Sequence, residues 1–94
     1  MDVSERFGEN LLRVRQARKL SQEGLAAQAG IHRTQITLLE SGRREPRLLT
    51  IVRLAGALEV EVSMLLEGIT WRPDGPGGGE FVVTDPPELP RLGG

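Results

Sequence analysis

The sequence predicts an all-α fold of five short helices in about 65 residues, followed by a C-terminal segment of different character. Three observations predict it. Apolar residues recur at helical spacing in short runs bounded by turn residues. Residues 21–42 join two such runs through Gly30, with small and apolar residues where crossing helices touch. After Gly68 the composition changes, with glycine and proline separating short β-prone runs. A core of about 60 residues is marginal by area, and with no cysteine neither disulfides nor a thiolate metal site can brace it.

Taken in order, Ser4 is placed to cap a first helix running to about Arg18, with Glu5 near its positive end. Phe7, Leu11 and Val14 make its inward stripe. Leu20-Ser21 separates it from a second helix over 22–29, with Ser21 as N-cap. Gly24 stands where a capping box would place Glu or Gln, so this start is weakly marked. A third helix is expected over 32–41, with Gly42 as a left-handed cap. Pro46 suits the first turn of a fourth helix over 47–58, burying Leu48, Ile51, Val52, Leu54, Ala55 and Leu58. A fifth, over 62–66, ends at Gly68. Glu61 is a weak cap for it, and Glu59 stands where a glycine would ease the turn.

Residues 69–72 and 80–84 are β-prone and are separated by 73–79, rich in glycine and proline. Two readings stay open: a flexible tail, or a hairpin whose Trp71 and Phe81 pack on the helices or on a second subunit, because a lone hairpin is marginal in water. Disorder is expected from Asp85 onward. The organisation is therefore a helical domain over 1–68, a possible hairpin extension over 69–84 and a disordered tail over 85–94.

Within the helical pair, Ala26 precedes Gly30 by four residues, and Ile36 and Leu39 lie three apart on the next helix. A crossing near 90–120° requires this arrangement of small, turning and apolar positions. It leaves Arg33, Thr34, Thr37 and Leu38 pointing outward, and a short helix with such a face fits the major groove of DNA. The net charge of −1 is unevenly distributed. Residues 13–47 carry eight basic residues against three acidic ones, a local net of +5 around the helical pair. A solvated basic surface is the alternative explanation.

Several classes are disfavoured. No apolar run approaches the roughly 20 residues of a membrane span and the N-terminus lacks a signal-peptide apolar region, so a cytoplasmic protein without membrane association is expected. His32 has no companion ligands, so neither a metal nor another cofactor is expected. Carboxylates are scattered or paired with arginine, and no nucleophile–base set is visible. The glycines at 77–79 lack the strand-then-helix context of a nucleotide fingerprint, so an enzyme is not expected.

Residues 7–67 resemble the Cro/C1-type helix-turn-helix domain of phage repressors and Xre-like bacterial regulators. The resemblance is carried by Leu20-Ser21-Gln22-Glu23, Leu25-Ala26, Ala29-Gly30-Ile31, Ile36, Leu39-Glu40-Ser41-Gly42, Pro46, Leu54-Ala55 and Ala57-Leu58. It implies a compact lambda-repressor-like fold and a sequence-specific transcriptional regulator, a repressor, bound as a homodimer to a two-fold symmetric site on double-stranded DNA. Arg33 and Thr34 match base-reading positions, with Thr37 and Leu38 one turn further along. Arg33 either donates two hydrogen bonds to guanine or grips a phosphate. Leu38, where the family often has a polar reader, either touches a thymine methyl or faces a partner protein.

Gln22, Gln35, Ser41, Arg43, Arg44 and Arg47 are the implied contacts to the DNA backbone. Arg15 and Glu40 correspond to an enclosed structural ion pair. His32 takes a capping position usually held by serine or threonine. Leu58, Val60, Val62, Met64, Trp71 and Phe81 are candidates for dimerisation. A reading from another class treats the chain as an antitoxin-type or other protein-interaction module, with residues 69–92 binding a protein partner by adding to a sheet edge.

Overall fold

Asp2 rather than Ser4 starts the first helix. In the computed structural model, which describes residues 1–84, Asp2 Oδ1 accepts from the Glu5 N–H at 2.8 Å, and Glu5 Oε1 accepts from the Asp2 N–H at 3.0 Å. This capping box fixes α1 as Val3–Ala17, with Ser4 inside its first turn. Phe7, Leu11 and Val14 are fully buried along it. Helix α2 is Gln22–Ala29, and its cap Ser21 accepts from the Gly24 N–H at 2.9 Å.

Helix α3 is Arg33–Glu40, with His32 and Ser41 as its caps rather than members. Gly42 follows in the left-handed region at φ 75°. Helix α4, Leu48–Leu58, begins after Arg47, so Pro46 precedes the cap. Helix α5, Val62–Leu65, is a single turn, and Gly68 ends that region at φ 79°. Lys19 and Glu59 take left-handed conformations at φ 58° and 56°, each costing about 1–2 kcal/mol for a residue with a Cβ.

The core draws on all five helices: α1 with Leu25, Ala26 and Ala29 of α2, Ile36 and Leu39 of α3, Leu54, Ala55 and Leu58 of α4, and Leu65 of α5. The stripe expected on α4 is too wide. Leu48 is 71% exposed and Val52 49%, while Ile51 is half-buried. The ridge formed by 51, 54, 55 and 58, with Ala57 beside it, packs into the core. Leu48 and Val52 lie round the helix from it.

Residues 69–84 form the hairpin of the two open readings. Strands β1 (Ile69–Gly75) and β2 (Gly78–Val83) pair antiparallel with Trp71 opposite Phe81, and the register is irregular between Pro73 and Gly75. Its base is tied to the helices. The Thr84 N–H donates to the Gly68 carbonyl at 2.9 Å, the Arg6 guanidinium donates to the Thr84 carbonyl, and Ile69 packs against the core. The Trp71 and Phe81 rings are not among the residues packed against the helical core. They meet each other edge-on at 5.0 Å between centroids and stay 53% and 63% exposed.

Helix α1 also carries buried polar groups that secure the C-terminal half. Asn10 Nδ2 donates to the Leu65 and Glu67 carbonyls at 3.0 and 2.9 Å, satisfying chain ends that a one-turn helix leaves unpaired. Arg13 donates to Asn10 Oδ1 at 2.8 Å. Gly8 permits a backbone-to-backbone approach: a Cβ there would lie 2.4 Å from the Leu39 carbonyl oxygen and 2.7 Å from that of Glu40. Helix α1 thus crosses the end of α3 with no side chain between them.

Two glycine substitutions test this packing. Gly8→Ala is expected to lower unfolding free energy by about 1–3 kcal/mol, because backbone must move to admit the methyl. Gly56→Ala, in α4 with nothing within 4 Å of its added Cβ, is expected to raise it by about 0.5–1 kcal/mol. Urea denaturation reads both. A Gly8→Ala protein as stable as the parent would contradict the close crossing.

Candidate nucleic-acid interface

Residues 30–32 join the second and third helices, and Gly30 turns the chain in a left-handed conformation. Gly30 has φ 72° and ψ 34°, and the Ile31 N–H closes the end of α2 by donating to the Ala26 carbonyl at 3.1 Å. Arg53 of α4 donates to the Gly30 carbonyl at 3.3 Å. Ile36 and Leu39 are fully buried, which sets the rotation of α3 about its axis. That rotation leaves Arg33, Thr34 and Thr37 exposed, with Gln35 and Leu38 half-buried. His32 is exposed and makes no capping bond with its side chain. Among the described residues no group of three metal-binding side chains occurs.

A polar network holds the two helices against α1. Arg15 Nε and Nη2 donate to Glu40 Oε2 and Oε1 at 2.6 and 3.0 Å, and Nη1 donates to the Leu20 carbonyl at 2.9 Å. The pair is enclosed, with the Arg15 and Glu40 side chains 13% and 7% exposed. The hydrogen bond from Glu40 raises the Arg15 pKa above its ordinary value. Burial opposes it, and the Glu40 and Glu23 charges add to it. Stability drawn from this cation is therefore complete below the ordinary arginine range and fades only as pH climbs through the raised value. Glu40 Oε1 also accepts from Gln22 Nε2 at 3.0 Å, which turns Gln22 Oε1 toward the Thr37 hydroxyl at 3.2 Å. Gln22 and Thr37, expected as separate contacts to DNA, are thus joined through Glu40.

Arg33, the first residue of α3, meets a partner that sequence spacing did not suggest. Its Nη1 lies 3.2 Å from Glu23 Oε1, with the two side chains 58% and 65% exposed. Such a pair contributes at most about 1 kcal/mol to stability. Arg43, Arg44 and Arg47 are all exposed beyond the end of α3, and the exposed Ser41 hydroxyl donates back to the Leu38 carbonyl at 3.0 Å. Between this loop, the start of α3 and α4 lies a cavity of about 520 Å³ lined by His32, Gln35, Arg44, Arg47 and Arg53 among others.

The positive charge counted along the sequence is partly spent inside the monomer. Arg15 is in the ion pair, Arg13 is bonded to Asn10, and Arg18 donates to the Leu58 and Glu59 carbonyls at 2.8 and 2.9 Å, capping α4. Arg53, outside the expected set, adds a charge beside the turn at Gly30. Among the dimerisation candidates, Leu58 is a correction: it is 1% exposed and belongs to the core, because it continues the ridge of Leu54 and Ala55. Val60, Val62 and Met64 are half-buried against that core, whereas Trp71 and Phe81 are open.

A family model described as "Helix-turn-helix" matches residues 11–65. The chain belongs to the Cro/C1-type helix-turn-helix family. Its similarity to control protein C.SmaI of Serratia marcescens is 42% identity over 66 residues, 70% of this chain and 79% of that protein. To the uncharacterized HTH-type transcriptional regulator YqaE of Bacillus subtilis it is 39% over 62 residues, 66% of this chain and 53% of that protein, so the match spans about half of that relative. Among solved structures, the restriction-modification controller protein C.AhdI of Aeromonas hydrophila superposes with a TM-score of 0.65 at 39% identity, covering 66% of this chain and 94% of that one. The helix-turn-helix match ends at residue 65, before the hairpin.

Removing one partner of the enclosed ion pair strands the other charge. Arg15→Met is expected to cost about 3–5 kcal/mol in urea denaturation, and Arg15→Met with Glu40→Leu to recover a substantial part of that loss. Single and double variants losing the same free energy would show that the stranded charge is not the cause.

Proposed function

We propose that this chain is a sequence-specific transcription regulator that binds a two-fold symmetric DNA site as a homodimer and represses by occupying it. One observation carries the reading. The face of α3 bearing Arg33, Thr34 and Thr37 is open, its opposite face is fixed by buried Ile36 and Leu39, and exposed Arg43, Arg44 and Arg47 lie just beyond its end. In this reading Arg33, Thr34, Thr37 and Leu38 meet base edges, while Gln22, Gln35, Ser41 and the three loop arginines meet phosphates. Membership of the Cro/C1-type family and the likeness to control proteins support it.

A single short helix reads few base pairs, so two half-sites about one helical turn apart are expected. The apolar surface for a homodimer comes from half-buried Val60, Val62 and Met64 with exposed Leu66, Trp71 and Phe81. The exposed aromatic pair also suits the second reading, in which the hairpin binds a different protein. The mass of the purified species separates them: a pure dimer favours the first, and a stoichiometric second polypeptide the second.

Gel shifts on the DNA upstream of its own gene test the main reading. Salt-sensitive specific binding is expected, and Arg43→Ala and Arg44→Ala should each weaken binding to all sequences and reduce the salt slope by about one. Trp71→Ala with Phe81→Ala is expected to shift the dimer toward monomer in analytical ultracentrifugation. Absence of any salt-dependent binding with Arg33 and the loop arginines intact would remove the basis of the proposal.

A further inference from the structure

We propose that Glu23 is a specificity-determining residue whose carboxylate holds the Arg33 guanidinium for a guanine edge and keeps it away from phosphates. This rests on the DNA-binding reading above and adds a residue that reading does not use. Glu23 is the second residue of α2 and projects, 65% exposed, beside the first residue of α3. Its Oε1 lies 3.2 Å from Arg33 Nη1 across ten residues of chain.

An exposed ion pair contributes little to stability, so its consequence is orientation and local charge. Orientation comes first. Arginine has five N–H donors, and one given to Glu23 leaves enough for a second, two-pronged partner. Gln22 is already engaged with Glu40 and Thr37, so among these neighbouring side chains the Glu23 carboxylate is what steadies Arg33.

Local charge decides which partner fits. A phosphate approaching Arg33 also approaches the Glu23 carboxylate, and the two anions repel. A base edge carries no net charge. Of the four bases, guanine presents two acceptors, O6 and N7, to the major groove, while adenine and cytosine present an amino donor that a guanidinium cannot use. Arginine paired with a carboxylate is therefore steered from a contact that merely positions the protein toward one that names a base. This resolves the two roles open for Arg33 in favour of base reading. The ordinary alternative is that Glu23 is an acidic residue favoured in the first turn of a helix. That alternative predicts a small stability change and no change in base preference.

Selection from a randomised duplex library separates these outcomes. Parent protein, Arg33→Ala, Glu23→Ala and Glu23→Gln would each be selected, then measured on the enriched duplex, on the same duplex with the guanine replaced, and on an unrelated duplex at two salt concentrations. The parent is expected to enrich a guanine in each half-site that Arg33→Ala no longer requires. Glu23→Ala is expected to lower the preference for that guanine about tenfold. It should also bind the unrelated duplex several-fold more tightly, with a salt slope steeper by about one per subunit as Arg33 turns to a phosphate. Glu23→Gln, which keeps a hydrogen-bond acceptor without the charge, is expected to gain the same non-specific affinity while retaining part of the preference.

Glu23 variants with unchanged preference and unchanged non-specific affinity would overturn the role of Glu23 and leave the DNA-binding reading intact. A preferred guanine that survives Arg33→Ala would do the same. A parent protein that enriches no sequence would overturn both.

Discussion

The Arg15 guanidinium is the junction on which the helical arrangement turns. Two of its nitrogens engage Glu40 at the end of α3, and the third engages the Leu20 carbonyl in the turn that leads to α2. A carboxylate at a helix C-terminus faces the negative end of the backbone dipole, so Glu40 is unfavourable there without a cation. Arg15 supplies that cation, and the cost of burying both groups is met by hydrogen bonds on nearly every available atom. The close crossing at Gly8 lets α1 approach near enough for a side chain to reach. Ion pair and glycine are therefore one device: the first joins three elements, and the second sets the distance at which they join.

That device has a consequence for the outer surface. With Glu40 fixed and Ile36 and Leu39 buried, α3 has a single rotation, and its remaining side chains turn to solvent together. Gln22 and Thr37 inherit their orientation from the same carboxylate, so part of the proposed DNA-facing surface is set before any DNA arrives. Rigid support of this kind lowers the ordering cost of binding. The loop arginines, by contrast, are exposed side chains and contribute mainly charge.

Much of this was legible in the sequence. The helical pair is a local feature: Ala26, Gly30, Ile36 and Leu39 are fixed by periodicity and turn chemistry. Gly42 adopts the left-handed conformation expected of it, and Gly30 and Glu59, read as turn positions, adopt it too. Arg15 with Glu40 came from a family resemblance, since a separation of twenty-five residues has no local signature. What stayed hidden depends on tertiary contact. Arg6 and Asn10 read as polar members of an amphipathic helix, yet they are buried because the hairpin base and the end of α5 offer carbonyls to satisfy. Gly8 looks like a flaw in a helix until α3 is laid across it. Leu48 and Val52 look like core until the width of the packed ridge is known. Arg13 and Arg18 count toward the local positive charge in the sequence, whereas the fold uses them internally. Asp2 as the first cap was readable and was obscured by a serine two residues later.

We propose that DNA lies on the exposed face of α3, supported from behind by Arg15 and Glu40. Amide chemical shifts of the isotope-labelled protein, followed by NMR during titration with duplex DNA from its own upstream region, test that most directly. The largest changes are predicted at 32–38 and 43–47, with Gln22 among them and the hairpin tip at 74–78 unaffected. Changes confined to 69–84, with the amides of α3 unmoved at saturating DNA, would contradict it.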